Sequence, residues 1–494
     1  MELKVRLLKW SAGVPVAMIN LKTAELMGIH ENDRVSIEKL SKGDGEFSTI
    51  VNIVGNLVKE MEIGISSEIK ELFNLKDEQR VDVNLAKSPV SLNYIKKKLD
   101  KKRLSKEEIK VIIKDIVNNS LSDPEIALFV SGMYENKMNF NETINLIEAF
   151  LESGEIMSFE GKYIVDKHCI GGIPGNRTTP IVVSICAAAG LTCPKSSSKA
   201  ITSAAGTSDV IGAIAKVDFS TKEIKKIVKK TGGCMVWGGS LELVPADSKI
   251  IRIEKMLKID PRAQLLASIM SKKLAVGSKY IIIDIPCGKN AKVSKKEAIK
   301  LKRDFERLGR HFKLNLRAVL TKGDEPIGNG VGPILELIDV IKVLNPSEEG
   351  PKDLEKRSLF LAGQLFEMTN KAKKGKGIEF AKNIIDSGKA FEKFIQIIKA
   401  QSGSIKHLEV GKFKKDILAK SSGKIYEINN IKINLLARIA GCPVDKSSGL
   451  YLYSHVGESI KKGDKILTIY SESKPRLKEA LFYYNKEKPI KIVK

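Results

Sequence analysis

Residues 165–180, Val165-Asp-Lys-His-Cys-Ile-Gly-Gly-Ile-Pro-Gly-Asn-Arg-Thr-Thr-Pro180, constrain the fold more than any other part of the chain. A short strand pattern runs into Gly171, Gly172 and Gly175, and an apolar run from Ile181 to Ala189 follows. The reading is strand, tight turn, helix. Such units build a mostly parallel sheet covered by helices, with ligands at the carboxyl ends of the strands. Glycine lets backbone approach a ligand closely, and a helix N-terminus adds unpaired N–H groups and positive dipole. Lys167 and Arg177 add full charges, and Thr178 and Thr179 add hydroxyls. The composition is that of an oxyanion site. It is not a Walker loop, because no Gly-Lys-Ser/Thr ends it. Taken alone, the stretch also reads as an ordinary tight turn.

Four further stretches carry polar chemistry. Residues 195–209, Lys195-Ser-Ser-Ser-Lys-Ala-Ile-Thr-Ser-Ala-Ala-Gly-Thr-Ser-Asp209, surround Lys199 with small hydroxyl residues, which suits an anion. The plainer reading is a polar loop with a helix cap. Residues 259–277 predict a helix starting at Pro261 and capped by Asp260. Ser268 and Lys272, four apart, share one face of that helix. Residues 286–293 form a Gly-Lys turn after an apolar strand, and residues 325–336 form a Gly-rich turn leading into a helix.

The rest of the chain falls into four regions. Residues 1–87 predict a β-rich, barrel-like domain with a weak internal repeat, in which residues 25–37 align with 71–83. Residues 88–157 predict helices beginning at Ser105, Ser122 and Asn141, with Ile109, Ile112, Ile113 and Ile116 facing a core. Residues 158–244 and 278–420 follow α/β logic, and 421–494 are β-rich again.

Composition removes several alternatives. The net charge of +25 invites a nucleic-acid reading, but the lysines are spread along the chain among acidic residues. The densest run, residues 96–103, reads as a solvated linker, and 6% aromatic residues suggest no base-stacking platform. A positive field that attracts anionic substrates is the reading retained. The six cysteines, Cys169, Cys186, Cys193, Cys234, Cys287 and Cys442, form no CxxC pair and no metal-ligand cluster, so reduced thiols and no metal are expected. Neither a signal-type leader nor a membrane-length apolar run is present, so a soluble cytoplasmic protein is expected.

In this order, the five stretches resemble the thymidine phosphorylase superfamily, from about residue 88 to 494. Lys167-His-Cys-Ile-Gly-Gly is similar to the family's phosphate loop, and Asp324-Glu-Pro-Ile-Gly resembles its second turn. Residues 173–179 and 197–207, with the added N-terminal domain, resemble the archaeal AMP-phosphorylase branch. The resemblance implies an α/β fold with a helical lobe completed by about residues 245–277, a β-rich N-terminal domain and a β-rich C-terminal region. It implies that a nucleoside 5′-monophosphate and phosphate yield free base and ribose 1,5-bisphosphate. Gly172, Ser198, Lys199, Ala200, Ile201, Thr202, Ser203, Thr207, Ser268 and Lys292 would contact the nucleotide. Asp260 would donate the proton, and Lys167, His168, Thr179 and Lys272 would lie at the phosphate or the reacting centre. Inorganic phosphate is a co-substrate, no cofactor is implied, and a homodimer or larger homo-oligomer is expected. Cys169 replaces a family serine and Lys199 an expected arginine, which removes a hydroxyl donor and a bidentate fork. A pyrimidine nucleoside phosphorylase, a phosphoribosyltransferase and a basic nucleic-acid-binding protein are the alternatives.

Overall fold

The chain forms two compact units, residues 1–153 with 245–268 and residues 154–244 with 269–494. The computed structural model describes every residue except 9, 12–14, 41–45, 201, 202, 241, 242 and 494.

In the first unit, β1 (Glu2–Leu7), β2 (Ala17–Asn20), β3 (Arg34–Lys39), β4 (Glu46–Val54), β5 (Glu62–Ile65) and β6 (Arg80–Leu85) close into a barrel of order β1-β5-β2-β4-β3-β6. Each repeat copy folds as a short helix, a left-handed cap and a strand. The caps are Gly28 at φ 64° and Asn74 at φ 45°, residue types that reach this region at least cost. Ile37 and Val83, equivalent in the repeat, face each other in the antiparallel β3–β6 pair, as a local twofold axis requires. Their side chains help fill the barrel core.

The helices Ser91–Leu99, Lys106–Val117, Asp123–Glu135 and Phe140–Glu152 follow, with Pro245–Leu257 in the same unit. Ser105 and Glu108 form the expected capping box, and Ile109, Ile112, Ile113 and Ile116 are buried. Lys249 closes the other end of that helix, donating to the carbonyls of Ile116 at 2.9 Å and Val117 at 2.7 Å. Two expectations are corrected. The fourth of these helices starts one turn-residue pair early: Asn139, not Asn141, caps it, because Asn139 and Glu142 satisfy each other's amides. The lysine run 96–103 is not simply a solvated linker. Its first half, residues 96–99, is the end of the helix Ser91–Leu99, and Lys98 is buried, donating to the carbonyl of Lys137 at 2.9 Å and to Glu142 at 3.1 Å. A buried ammonium persists there because a fully hydrogen-bonded carboxylate faces it.

The second unit is built on parallel strands. β7 (Val165–Cys169), β10 (Tyr280–Cys287) and β11 (Asn315–Lys322) form a sheet of order β11-β10-β7. β8 (Cys193–Ser197) pairs in parallel with β9 (Gly233–Trp237), and a bridge from Ile164 to Thr192 joins this pair to the edge at β7. The helix Thr178–Ala188 is buried along its whole length, which explains why its sequence is apolar all round. Residues 413–493, with Gly330–Val331, form two small antiparallel sheets, as the expected β-rich region implies, and add the helices Asn430–Ala440 and Lys474–Glu487.

Candidate active site

The glycines after β7 are there for backbone reasons. Gly171 and Gly172 hold φ of 87° and 91°, where a side chain is strained. A Cβ on Gly172 would lie 2.9 Å from Cβ of Lys292, so the structure brings these two expected nucleotide contacts together. The amides of Gly172, Ile173, Gly175 and Asn176 have no hydrogen-bond partner among the described residues. They are the raw material of an anion site.

The charges beside this loop come from β7. Lys167 is buried, donates to Oγ1 of Thr178 at 2.6 Å and lies 4.0 Å from Asp284. Burial pushes its ammonium below the ordinary lysine value, with Lys195 and Arg177 adding to that. His168 is held well below its ordinary value by burial and by Lys273, Lys195, Lys272 and Lys167, so it is a neutral imidazole near neutrality. The Cys169 sulfur accepts from the Gly171 amide and from Nδ2 of Asn176, each at 3.4 Å. Burial and Asp284 push this thiol up to about 11, so it stays protonated and its role is within the loop. Thr179 is buried in the first turn of the helix Thr178–Ala188.

The stretch 195–209, the second candidate anion cradle, is tied at its ends. Asp209 accepts from the amides of Ala200 at 2.6 Å and Gly206 at 2.7 Å, and Ser203 donates to the carbonyl of Ala205 at 2.9 Å. Nothing but hydrogen fits at Gly206, whose Cβ would meet the Ser198 carbonyl at 2.4 Å. Ser198 and Lys199 are exposed, and the Lys199 ammonium lies 3.6 Å from the centre of the Trp237 ring. Ile201 and Thr202 lie outside the described residues.

Three groups outside the expected contact residues brace the candidate site. Asp166 is fully buried between Lys195, at 3.0 Å, and Lys273. Burial opposes its ionisation, but the two ammonium groups hold the carboxyl below the usual range. Arg177, noted only as a charge, is buried and pairs with Glu336. Asp339 accepts from the amides of Asn329 at 2.7 Å and Gly330 at 2.6 Å. For Asp166 and Asp339 the signal was available: each is a charged residue inside a segment that otherwise reads as buried.

The turn 325–336 is not a second open cradle. Its Ile327 amide donates to the carbonyl of Pro174 at 3.1 Å, and Gly175 has room for no Cβ, which would meet the Ile327 carbonyl at 2.3 Å. This turn therefore buttresses the phosphate-type loop. The helix Arg262–Ala275 begins one residue later than expected, and the unit boundary falls within it. Asp260, which is exposed, and Ser268 belong to the first unit; Lys272 belongs to the second. Among the described residues, no group of three or more His, Cys, Asp or Glu side chains could hold a metal ion, and no helix is long and apolar enough to cross a membrane.

Residues 92–154 match the helical bundle domain of the glycosyl transferase family, 161–301 its a/b domain, and 424–491 the pyrimidine nucleoside phosphorylase C-terminal domain. Similarity to individual proteins runs further. An AMP phosphorylase of Thermococcus kodakarensis is 43% identical over 497 aligned positions, covering 100% of this chain and 98% of that protein. The chain belongs to the AMP phosphorylase family. An AMP phosphorylase of Pyrococcus furiosus is 42% identical, covering 99% of this chain and 97% of its own length. The first of these alignments takes in residues 1–87, which the three domain matches leave out. An anthranilate phosphoribosyltransferase from Thermus thermophilus shares the fold at a TM-score of 0.51 and 16% identity, covering 63% of this chain and 99% of that one. It adds fold information only.

Proposed function

We propose that the chain is a pentosyltransferase that phosphorolyses nucleoside 5′-monophosphates, converting AMP and phosphate to adenine and ribose 1,5-bisphosphate. The observation that carries this is 43% identity to an AMP phosphorylase across the whole chain, both units included. The open amides at 172–176 and the neutral His168 support it.

The chemistry follows from the residues. The C1′–N bond breaks with oxocarbenium character at the sugar, and a phosphate oxygen bonds to C1′. Phosphate is already an anionic nucleophile, so it needs positioning more than activation. Lys167, the Gly171–Gly172 turn and Thr179 are assigned to the phosphates and the reacting centre, with His168 and Lys272 beside them. Gly172, Ser198 to Ser203, Thr207, Ser268 and Lys292 are assigned to the nucleotide. The base leaves with the bonding electron pair and gains a proton on a ring nitrogen from Asp260, the proposed general acid. No cofactor takes part in this scheme. The enzyme is further proposed to act in the cytoplasm as a homo-oligomer.

Phosphate consumption measured against AMP, CMP, UMP, adenosine and thymidine tests the reading. Turnover of AMP well above adenosine is expected. Equal use of the two would make it a nucleoside phosphorylase instead, and salt-sensitive RNA binding without phosphorolysis would make it neither.

A further inference from the structure

Arg177 has no role in the proposed reaction, yet it stands at the centre of a buried contact set that reaches Thr207. It is 6% exposed, and its partner Glu336 is 1% exposed. The Nε group donates to Glu336, which also accepts from the Gly332 amide at 3.0 Å. The two terminal nitrogens reach the second cradle on either side of Gly206: one donates to Oγ1 of Thr207 at 2.9 Å, the other to the carbonyl of Ala205 at 2.9 Å. The amide of Gly206 itself is held by Asp209 at 2.7 Å. The three residues 205–207 are therefore pinned from both sides.

The Thr207 contact has a direction. A guanidinium only donates, so the threonine oxygen must be the acceptor. The hydroxyl hydrogen is then left over, and no acceptor for it occurs among the described residues. A hydroxyl that accepts from a cation is also a better donor, because the charge polarises it. Thr178 makes the contrast: it accepts from Lys167 at 2.6 Å and spends its own hydrogen on Oδ1 of Asn176 at 3.1 Å. Thr178 is finished; Thr207 is poised.

We infer that Arg177 is a positioning residue, which fixes the Thr207 hydroxyl as a one-way donor to an anionic oxygen of a phosphate-bearing substrate. Glu336 neutralises the guanidinium and keeps it from taking that oxygen itself. The inference rests on the proposed phosphorolysis only for the identity of the anion. Arg177→Lys keeps a charge but loses the fork that reaches Glu336, Thr207 and Ala205 together.

The test is a double-mutant cycle between Arg177→Met and Thr207→Val, with Arg177→Lys and Glu336→Gln alongside. Steady-state KM and kcat for AMP and phosphate are measured, together with calorimetric Kd values for AMP and for inorganic phosphate separately. Arg177→Met, Arg177→Lys and Thr207→Val are each expected to weaken the same one of the two ligands by roughly tenfold or more, the scale of a lost charge-assisted hydrogen bond, with less change in kcat, whereas Glu336→Gln, which leaves the guanidinium unneutralised, should not weaken it. The double variant should be no worse than Thr207→Val alone, since Arg177 acts through that hydroxyl. Multiplying effects in the double variant would overturn the inference, as would an Arg177→Met enzyme with both affinities intact. If Arg177→Met does not fold, the cycle between Arg177→Lys and Thr207→Val reads the same coupling. A wild-type protein without AMP turnover would sink the nucleotide reading; the calorimetric cycle would still judge the coupling.

Discussion

The turn at 171–177 and the turn at 324–332 each follow a strand of the parallel sheet, carry closely spaced glycines and lead into an apolar helix. Their amides end differently. In the first, Gly172, Ile173, Gly175 and Asn176 keep theirs unpaired among the described residues. In the second, Gly328 donates to Asp353 at 3.0 Å, Asn329 and Gly330 donate to Asp339, and Ile327 donates to Pro174 of the first turn. Glycine permits the backbone shape in both. What separates the proposed ligand loop from the buttress is whether a carboxylate from elsewhere in the fold has already taken the amides.

The widest test of that division lies outside both turns. Asp260→Asn is expected to lower kcat by roughly two to four decades while substrate affinity changes little, the usual range for a lost general acid. Near-normal turnover of the folded variant would reduce Asp260 to a structural role and leave the loops to account for catalysis.

The next test asks whether the open amides and the second cradle together serve two phosphates. AMP should exceed adenosine in kcat/KM by at least about two decades, since unpaired buried donors cost about 3 kcal/mol at charged sites. Lys292→Ala should hurt AMP more than adenosine. Both ratios come from one set of steady-state assays, and a ratio near unity would mean that one phosphate suffices.

Two glycines then allow a matched experiment. Gly172 and Gly328 hold φ of 91° and 73°, so alanine strains either by about 1–2 kcal/mol. At Gly172 the new Cβ also meets Lys292, whereas at Gly328 it meets Asp339 at 2.8 Å. Gly172→Ala should lower kcat/KM about ten- to hundredfold with a modest change in melting temperature. Gly328→Ala should lower the melting temperature and leave kcat/KM of the folded enzyme within about threefold, less than one lost hydrogen bond. Equal kinetic damage from both would abolish the distinction between loop and buttress.

The smallest effect is a pH dependence of the buttress. Burial raises the Asp339 carboxyl to about 7, above its unfolded value of 3.8, against the two amides that favour the anion. A raised folded value means that the stability it contributes is full below about 4 and is lost as pH climbs through about 7. Asp339→Asn cannot titrate. Its melting temperature relative to wild type should therefore rise by a few degrees between pH 4 and 7 and then level off, as thermal scans in matched buffers would show. A flat difference would mean that Asp339 is already ionised throughout.

Much of this was written locally. The capping box at Ser105, the helix–cap–strand repeats of the barrel and the glycines at positive φ depend on residues a few positions apart, so their spacing in sequence is enough to read them. The same holds for the strand–turn–helix at 165–180, whose periodicity changes within one stretch. Asn139 was missed by two positions because Asn141 offers the same side chain, and only the reciprocal bond to Glu142 decides between them.

Tertiary structure decided the fates of the charges. Arg177 finds Glu336 across 159 positions of sequence, Asp166 finds Lys273 across 107, and Lys98 finds Glu142 across 44. Composition announced a basic chain but not which cations are spent inside it. A buried charge is stable only beside a partner, and the partner is chosen by which strands and helices pack together, a fact that no local pattern contains. Thus the sequence determined where backbone could bind an anion, and the fold determined which amides and hydroxyls were left over to do so.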